Sequence, residues 1–498
     1  MRAIVPGDYT RFLTYAPRVV SILEDHPITV GYLFPQLKDI SLHENAFHAL
    51  ERSCPIKPLF RNLQALSLHR AHIPPRALVA PSLKLVRIDT RKPLEPTQEE
   101  KLADVVHYIR STCPRLQDLT FALEGCTPHF RDILTTTLLT MTSLTSFSSE
   151  GMSIPLDALL MLSQLPALSI LKTDVTYPPG TGHFSTQAFP MLSNLQLTTA
   201  APHVAGDIVC AVSSPTLKSL NLTIKANIPR LTITQLFCTL STQHSHLDTI
   251  KLGLSRLHRK TGEVIHPSDL QPLLSIRGIK HMNMSACPVA VDDQLMRAIS
   301  NSWRQLERLE ISASSDMRPL PGLVSLVGLA YLSYGCPNLK MVGLPVDTDV
   351  TRIPTALPGL PNALGEEFLP CDLTYMHVGA SPIRDPVTVA AYLSDIFPLL
   401  NNISTHPLDR DLAVDNHEAL MQWRRAADMH LMRWICVQRL VARFAQVRDD
   451  ERWSGFVAGA RSVLEAEGWD TGDADILGKA LESERVREVA DAFARDER

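Results

Sequence analysis

The sequence predicts an α/β fold: a curved solenoid of stacked strand-and-helix units, with parallel strands inside and helices outside. Three observations predict it. A Leu-x-x-Leu-x-Leu pattern returns fourteen times, at a mean spacing of about 28 residues. Segments with helical spacing lie between the copies. Proline outnumbers glycine, 36 to 22, and gathers just before the pattern. The spacing is that of leucine-rich repeats. One strand and one helix cannot bury their apolar faces alone, and stacked copies share a continuous core.

The chain opens on a lead-in over residues 1–32, with a helix expected near 9–23. The solenoid follows over 33–405, as about 14 irregular units. Its copies begin at Leu37, Leu63, Leu83, Leu116, Leu144, Leu168, Leu192, Leu217, Leu247, Ile279, Leu306, Leu339, Leu373 and Leu400. The last two leucines of each copy stand two apart, on one side of a short strand. Between copies, Thr97-Gln98-Glu99-Glu100 reads as a capping box, ahead of a stripe of Leu102, Val105, Val106 and Ile109. Thr232 to Gln235 and Ser268 to Gln271 repeat that spacing. Asp385-Pro386 places a cap before a proline at the first helical position. Prolines such as Pro114, Pro190 and Pro337 follow a helix, where a residue that cannot continue it is useful. The Asn or Cys usual after the strand occurs only as Asn45 and Cys287, so uneven loops are expected.

After the last copy the pattern changes. Leu420, Trp423, Ala427, Leu431, Trp434, Val437, Val441 and Phe444 fall in steps of three and four. That is an amphipathic helix, expected within 406–452 to cover the open end of the solenoid. Residues 453–498 form a charged tail, expected to be partly helical or flexible.

Composition narrows the function. The net charge is −4, from 48 basic and 52 acidic side chains. That balance argues against a nucleic-acid binder, which needs a basic surplus or stripe. Nine dispersed cysteines without a secretory signal read as reduced thiols of an intracellular protein, cytoplasmic or nuclear. Residues 319–339 carry no charge but hold glycines and prolines in register with the repeat. They read as a buried helix, and no membrane association is expected.

Signatures of catalysis fail one by one. His43 and His48 are five apart, whereas a zinc-peptidase helix needs four. Gly180-Thr181-Gly182 has no third glycine. Cys54, Cys113 and Cys336 each precede a proline, at a helix-to-strand junction where a small side chain packs. His244, His246 and His258 lack partners in sequence. The chain is therefore expected to be no enzyme, with no cofactor, no metal and no small-molecule ligand.

The residue between the last two strand leucines points away from the core. Those residues are Ser41, Ser67, Arg87, Thr120, Ser148, Lys172, Gln196, Asn221, Lys251, Asn283, Glu310, Gly343 and His377. They are polar and mixed in charge, and would line the concave face. The candidate site is this row, and the expected ligand is a protein partner.

Three stretches resemble the fungal F-box/leucine-rich-repeat proteins. They are Arg11-Phe12-Leu13-Thr14-Tyr15-Ala16 with Arg18-Val19, then Ser381-Pro382-Ile383-Arg384-Asp385-Pro386 to Phe397-Pro398, and Gln446-Val447-Arg448-Asp449-Asp450-Glu451-Arg452. The resemblance covers about residues 9–452. It implies a substrate receptor of a ubiquitin ligase, in which an F-box grips an adaptor and the repeats hold the substrate. The chain departs from that family before Arg11, where the three-helix F-box should stand. Adaptor binding is therefore not expected. Three roles follow: an interaction scaffold, the substrate-recognition part of a receptor whose F-box is lost or missing from the gene model, and, last in order, an enzyme with a site assembled from distant residues.

Overall fold

The structure, a computed structural model, describes residues 21–23, 39–43, 63–69, 79–90, 95–123, 127–138, 140–175, 184, 188–226, 228–254, 264–311, 323–349, 371–379, 381–405, 428–448 and 450. The chain divides into two compact units, Met1–Glu263 and Val264–Arg498. The leucine pattern alone marks no such boundary within 33–405.

The first unit is built on parallel strands paired in chain order: Ser21–Leu23, Asp39–His43, Ala65–His69, Leu85–Thr90, Asp118–Leu123, Ser146–Ile154, Ile170–Val175, Asn194–Thr199, Ser219–Ile224 and Thr249–Leu254. The second carries His281–Ala286, Arg308–Ile311, Met341–Gly343, Tyr375–His377 and Asn402–Ser404, again parallel and in order. A small parallel pair, Val324–Ser325 with Val346–Asp347, stands beside them. Each of the fourteen leucine copies thus supplies a strand, which begins two residues after its first Leu or Ile. This is the α/β leucine-rich-repeat fold.

Ser21–Leu23 corrects the sequence reading. It is a strand paired to Asp39–Ser41, where the end of a helix was expected. Val19, Val20 and Ile22 surround it, and β-branched residues favour a pleated strand. The rest of the expected lead-in helix lies outside the described residues.

Helices carry the chain back between strands. In the first unit they are Pro96–Thr112, Pro128–Leu138, Leu156–Ser163, Pro202–Ala211 and Arg230–Gln243. In the second they are Pro267–Leu270 with a 3₁₀ turn Gln271–Ser275, then Asp293–Ser302, Leu326–Gly335, Pro386–Ile396 and residues 428–448. In each unit the strand leucines lie in an apolar layer: Leu119, Phe121, Leu171, Leu195, Leu220 and Ile250 are buried in the first, Leu309 and Val342 in the second. The uncharged stretch 319–339 contains the buried helix Leu326–Gly335. Among the described residues, no helix is long and apolar enough to cross a membrane.

Proline decides the caps more than the capping boxes do. The first helix starts at Pro96, so its cap is Glu95 rather than Thr97. The Glu95 amide donates to Gln98 Oε1 at 3.0 Å. The box expected at Ser268 moves likewise to His266, whose amide donates to Asp269 Oδ2 at 2.9 Å, with Pro267 next. Arg230–Gln243 begins after Pro229 with no side-chain cap, which places Thr232 inside the helix. Proline lacks an N–H and fixes φ, so the first turn forms on it and the capping role passes to its neighbour. At Asp385-Pro386 both signals agree. The Asp385 carboxylate accepts from the amides of Val387 and Thr388, each at 3.1 Å.

A shared turn leads into the strands, directly after a helix at Cys113, Trp303, Cys336 and Phe397. The carbonyls of Cys113, Phe189, Trp303, Cys336 and Phe397 each accept from the amide three residues on. In four of these turns a proline follows the accepting residue, where its fixed φ suits the second turn position. The accepting side chain itself is buried. Hydroxyls then tie unit to unit along the strand starts. Thr145 donates to Gln117 O, Ser169 to Thr145 O and Ser193 to Ser169 O, at 2.9–3.0 Å. Acids in the first helical turn reach the next helix: Glu99 accepts from Thr127, and Asp293 from the Ser325 amide at 2.8 Å.

Two glycines have structural reasons. Gly151, at φ 76°, lies in a bulge of Ser146–Ile154, where the register jumps from Ser149 to Ser153. Gly335 lets its helix approach Asp293–Ser302, since a Cβ there would stand 2.7 Å from Ser300 O.

Candidate functional site: the open face of the sheet

Burial alternates along most of the six-residue strands. Asp118, Thr120 and Ala122 are half-buried, while Leu119, Phe121 and Leu123 are buried. Each six-residue strand therefore presents three residues on the face opposite the helices, and the strands of three or four residues present two.

The pairing places the sequence-predicted residues in continuous rows. In the first unit Ser41, Ser67, Arg87, Thr120, Ser148, Lys172, Gln196, Asn221 and Lys251 are register partners from strand to strand. In the second unit Asn283, Glu310, Gly343 and His377 are aligned, and Ser404 follows them. Arg87 and Lys251 are exposed. Thr120, Lys172, Gln196, Asn221, Asn283 and Glu310 are half-buried, and Ser148, Gly343 and His377 are buried.

Two further rows flank this one and were not read from the sequence. In the second unit His281, Arg308, Met341, Tyr375 and Asn402 are partners, which adds an aromatic and a methionine to the face. In the first unit Asp89, Ala122 and Glu150 are partners, and Asp174 follows beyond the bulge. The signal was present in the same period of two, one step to either side of the chosen residue.

Local electrostatics are modest. Lys340 Nζ lies 2.9 Å from Glu307 Oε2; the pair lowers the carboxyl pKa and raises that of the ammonium. Arg308 pairs with Glu310 on the same strand. Lys225 Nζ reaches Asp174 Oδ2 at 3.3 Å. Such exposed pairs shape recognition more than stability.

The candidate nucleophiles Cys113 and Cys336 are buried, as is Cys371. Cys113 donates to Ala80 O at 3.1 Å, Cys336 to Trp303 O at 3.5 Å, and Cys371 to Leu339 O at 3.5 Å. Burial pushes all three thiols up to about 12, which keeps them protonated. His246 is exposed, and His244 is buried with Nε2 3.1 Å from Val209 O. His43 keeps its place on a strand; Cys54, Gly180 to Gly182, His48 and His258 lie outside the described residues. Among the described residues no group of three His, Cys, Asp or Glu side chains is placed to hold a metal ion.

Burial lowers the His244 pKa despite its bond to Val209 O. The unfolded chain then binds the proton more tightly, so stability is full above about pH 6.5 and falls as the pH drops below it. Phenylalanine occupies the same turn position with a similar backbone at Phe397, so His244→Phe should fold. Its denaturant midpoint should change less than that of the parent chain between about pH 7.5 and 5.5. Equal slopes would show that His244 does not carry the effect.

No known family model matches the chain, and no curated protein matches it. Two solved structures resemble it in backbone. A leucine-rich-repeat protein of Leptospira interrogans is 13% identical, with a TM-score of 0.36, over 80% of this chain and 81% of that one. An internalin (InlF) of Listeria monocytogenes is 12% identical, with a TM-score of 0.34, over 80% of this chain and 86% of that one. The class rests on this chain's own strands and returns: it is a leucine-rich-repeat protein by architecture.

Proposed function

We propose that the chain is a non-catalytic scaffold that holds a protein partner on the concave, open face of its sheet. One observation carries the reading. Polar side chains from successive strands stand in register over a broad face that the helices leave uncovered, from Arg87 to Lys251 and from Asn283 to His377. Such a face offers many weak contacts, with affinity concentrated in a few of them. Arg308, Met341 and Tyr375 are of the residue types enriched in interfaces.

The substrate-recognition part of an F-box ubiquitin ligase receptor is the second reading. It is favoured because two stretches that carry that resemblance meet in the second unit. Arg448 bonds the helix that follows Asp385-Pro386, through Ser394 Oγ at 2.7 Å and Ala391 O at 2.9 Å.

The test is affinity capture with the full chain, compared with a face-blocked variant, Thr120→Tyr with Gln196→Tyr, and a helix-side control, Glu100→Lys. The partner captured by the parent chain should fall at least about tenfold with the blocked face and persist with the control. The opposite pattern would place binding on the helices and remove the reading.

A further inference from the structure

The charges on the first unit's open face are sorted by row. The middle row holds Arg87, Lys172 and Lys251 and no acid. The next row toward the strand ends holds Asp89, Glu150 and Asp174 and, within it, no lysine or arginine; its register begins at His43 and His69. Lys225 meets Asp174 from just beyond the end of its own strand. The rows lie two residues apart on each strand, about 6.8 Å. Two oxygens in the middle row, Ser148 Oγ and Asn221 Oδ1, are buried without a hydrogen-bond partner, and Ser148 is only 5% exposed. A buried polar atom of this kind is costly unless something bonds it.

We infer that this face takes an α-helix of a partner protein, lying across the strands, with an acidic stripe over the basic row and a basic stripe over the acidic row. The inference rests on the scaffold reading and names the partner's chemistry. An extended segment sends one line of side chains to a surface, so it can serve only one row. A helix presents neighbouring stripes side by side and is about 10 Å across, which suits two rows at this separation. From Arg87 to Lys251 the row crosses about 29 Å, the length of a helix of about 20 residues. A uniformly acidic or basic helix meets like charge on one row, and that repulsion rejects it.

The probe is a synthetic alanine-rich helical peptide of about 20 residues, with glutamates on one stripe and lysines on the adjacent one. Controls of the same length carry glutamate only or lysine only. Titration against the full chain at low salt should show the striped peptide binding at least about tenfold more tightly than either control, and weakening with salt. Lys172→Glu with Lys251→Glu should remove most of that advantage. Lys172→Gln with Lys251→Gln is a milder variant, and circular dichroism confirms the fold of both. If a single-charge control binds as tightly, or if both variants bind the striped peptide unchanged, the inference is overturned. If the striped peptide fails while the face-blocked variant still loses its captured partner, the charge rule falls and the scaffold reading stands.

Discussion

Trp303→Ala should lower the stability of the Val264–Arg498 unit by about 3–5 kcal/mol, and Trp303→Phe should cost much less. Trp303 is among the largest fully buried side chains, at the junction between Asp293–Ser302 and Arg308–Ile311. Its carbonyl accepts from the Leu306 amide at 3.0 Å and from the Cys336 thiol at 3.5 Å, so the backbone there holds two successive units. Truncation to alanine leaves a cavity in a layer already closed by Leu306, Leu309 and Cys336, which cannot collapse fully. The indole N–H has no hydrogen-bond partner. Phenylalanine keeps much of the ring and removes that unpaired donor, so part of its packing loss is offset. Urea unfolding followed by circular dichroism measures both. If the two variants lose the same stability, the loss does not follow the ring volume removed, and the packing account is wrong. A total stability of about 5–15 kcal/mol makes the alanine effect large for a domain.

That residue also shows what the sequence could and could not tell. The strands were legible because Leu-x-x-Leu-x-Leu is a direct imprint of the core, and the strand of each of the fourteen copies begins two residues after its first apolar anchor. The junction position was not, because its identity runs from Cys113 through His244 to Trp303. Only burial is common to them. Helix starts were misplaced at Thr97, Thr232 and Ser268 because a proline one to three residues upstream overrode the capping signal. The strand Ser21–Leu23 was missed because its copy lacks the full leucine pattern. Of the candidate site, the middle row was legible from the period of two. The rows through Tyr375 and Glu150 obey the same period, but taking one residue per strand passed over them. The bulge at Glu150 to Met152 had a single clue, a glycine within a strand-like run.

The end of the chain gives the other large effect. Residues 428–448 form a helix on which Trp434, Val437 and Val441 are buried, while Leu431 and Phe444 are half-buried. Leu420 and Trp423 lie outside the described residues. We assign this helix as the cap of the last repeats. Trp434 Nε1 donates to Ser381 O at 2.9 Å, and Arg433 Nη1 to Ile383 O at 2.7 Å. His430 Nδ1 sits 3.1 Å from the Ile383 amide. At the other end Arg448 adds an ion pair to Asp395 at 3.5 Å. Val389, Leu393 and Leu400, apolar residues of the last repeats, are buried. Trp434→Ala removes a buried ring and leaves the Ser381 carbonyl without its indole donor, for a loss of about 3–5 kcal/mol. Because each repeat depends on its neighbours, the loss should appear locally before it appears globally. Hydrogen exchange should quicken over about residues 370–448 and leave the first unit's strands unchanged. Unchanged exchange in that region, together with loss of a captured partner, would make the helix a docking element. Its exposed Met429 and Met432 would then be the contact to examine. The bonds to Ser381 and Ile383 argue for the cap, since a helix held for a partner would have no reason to use its most buried side chain on its own chain's backbone.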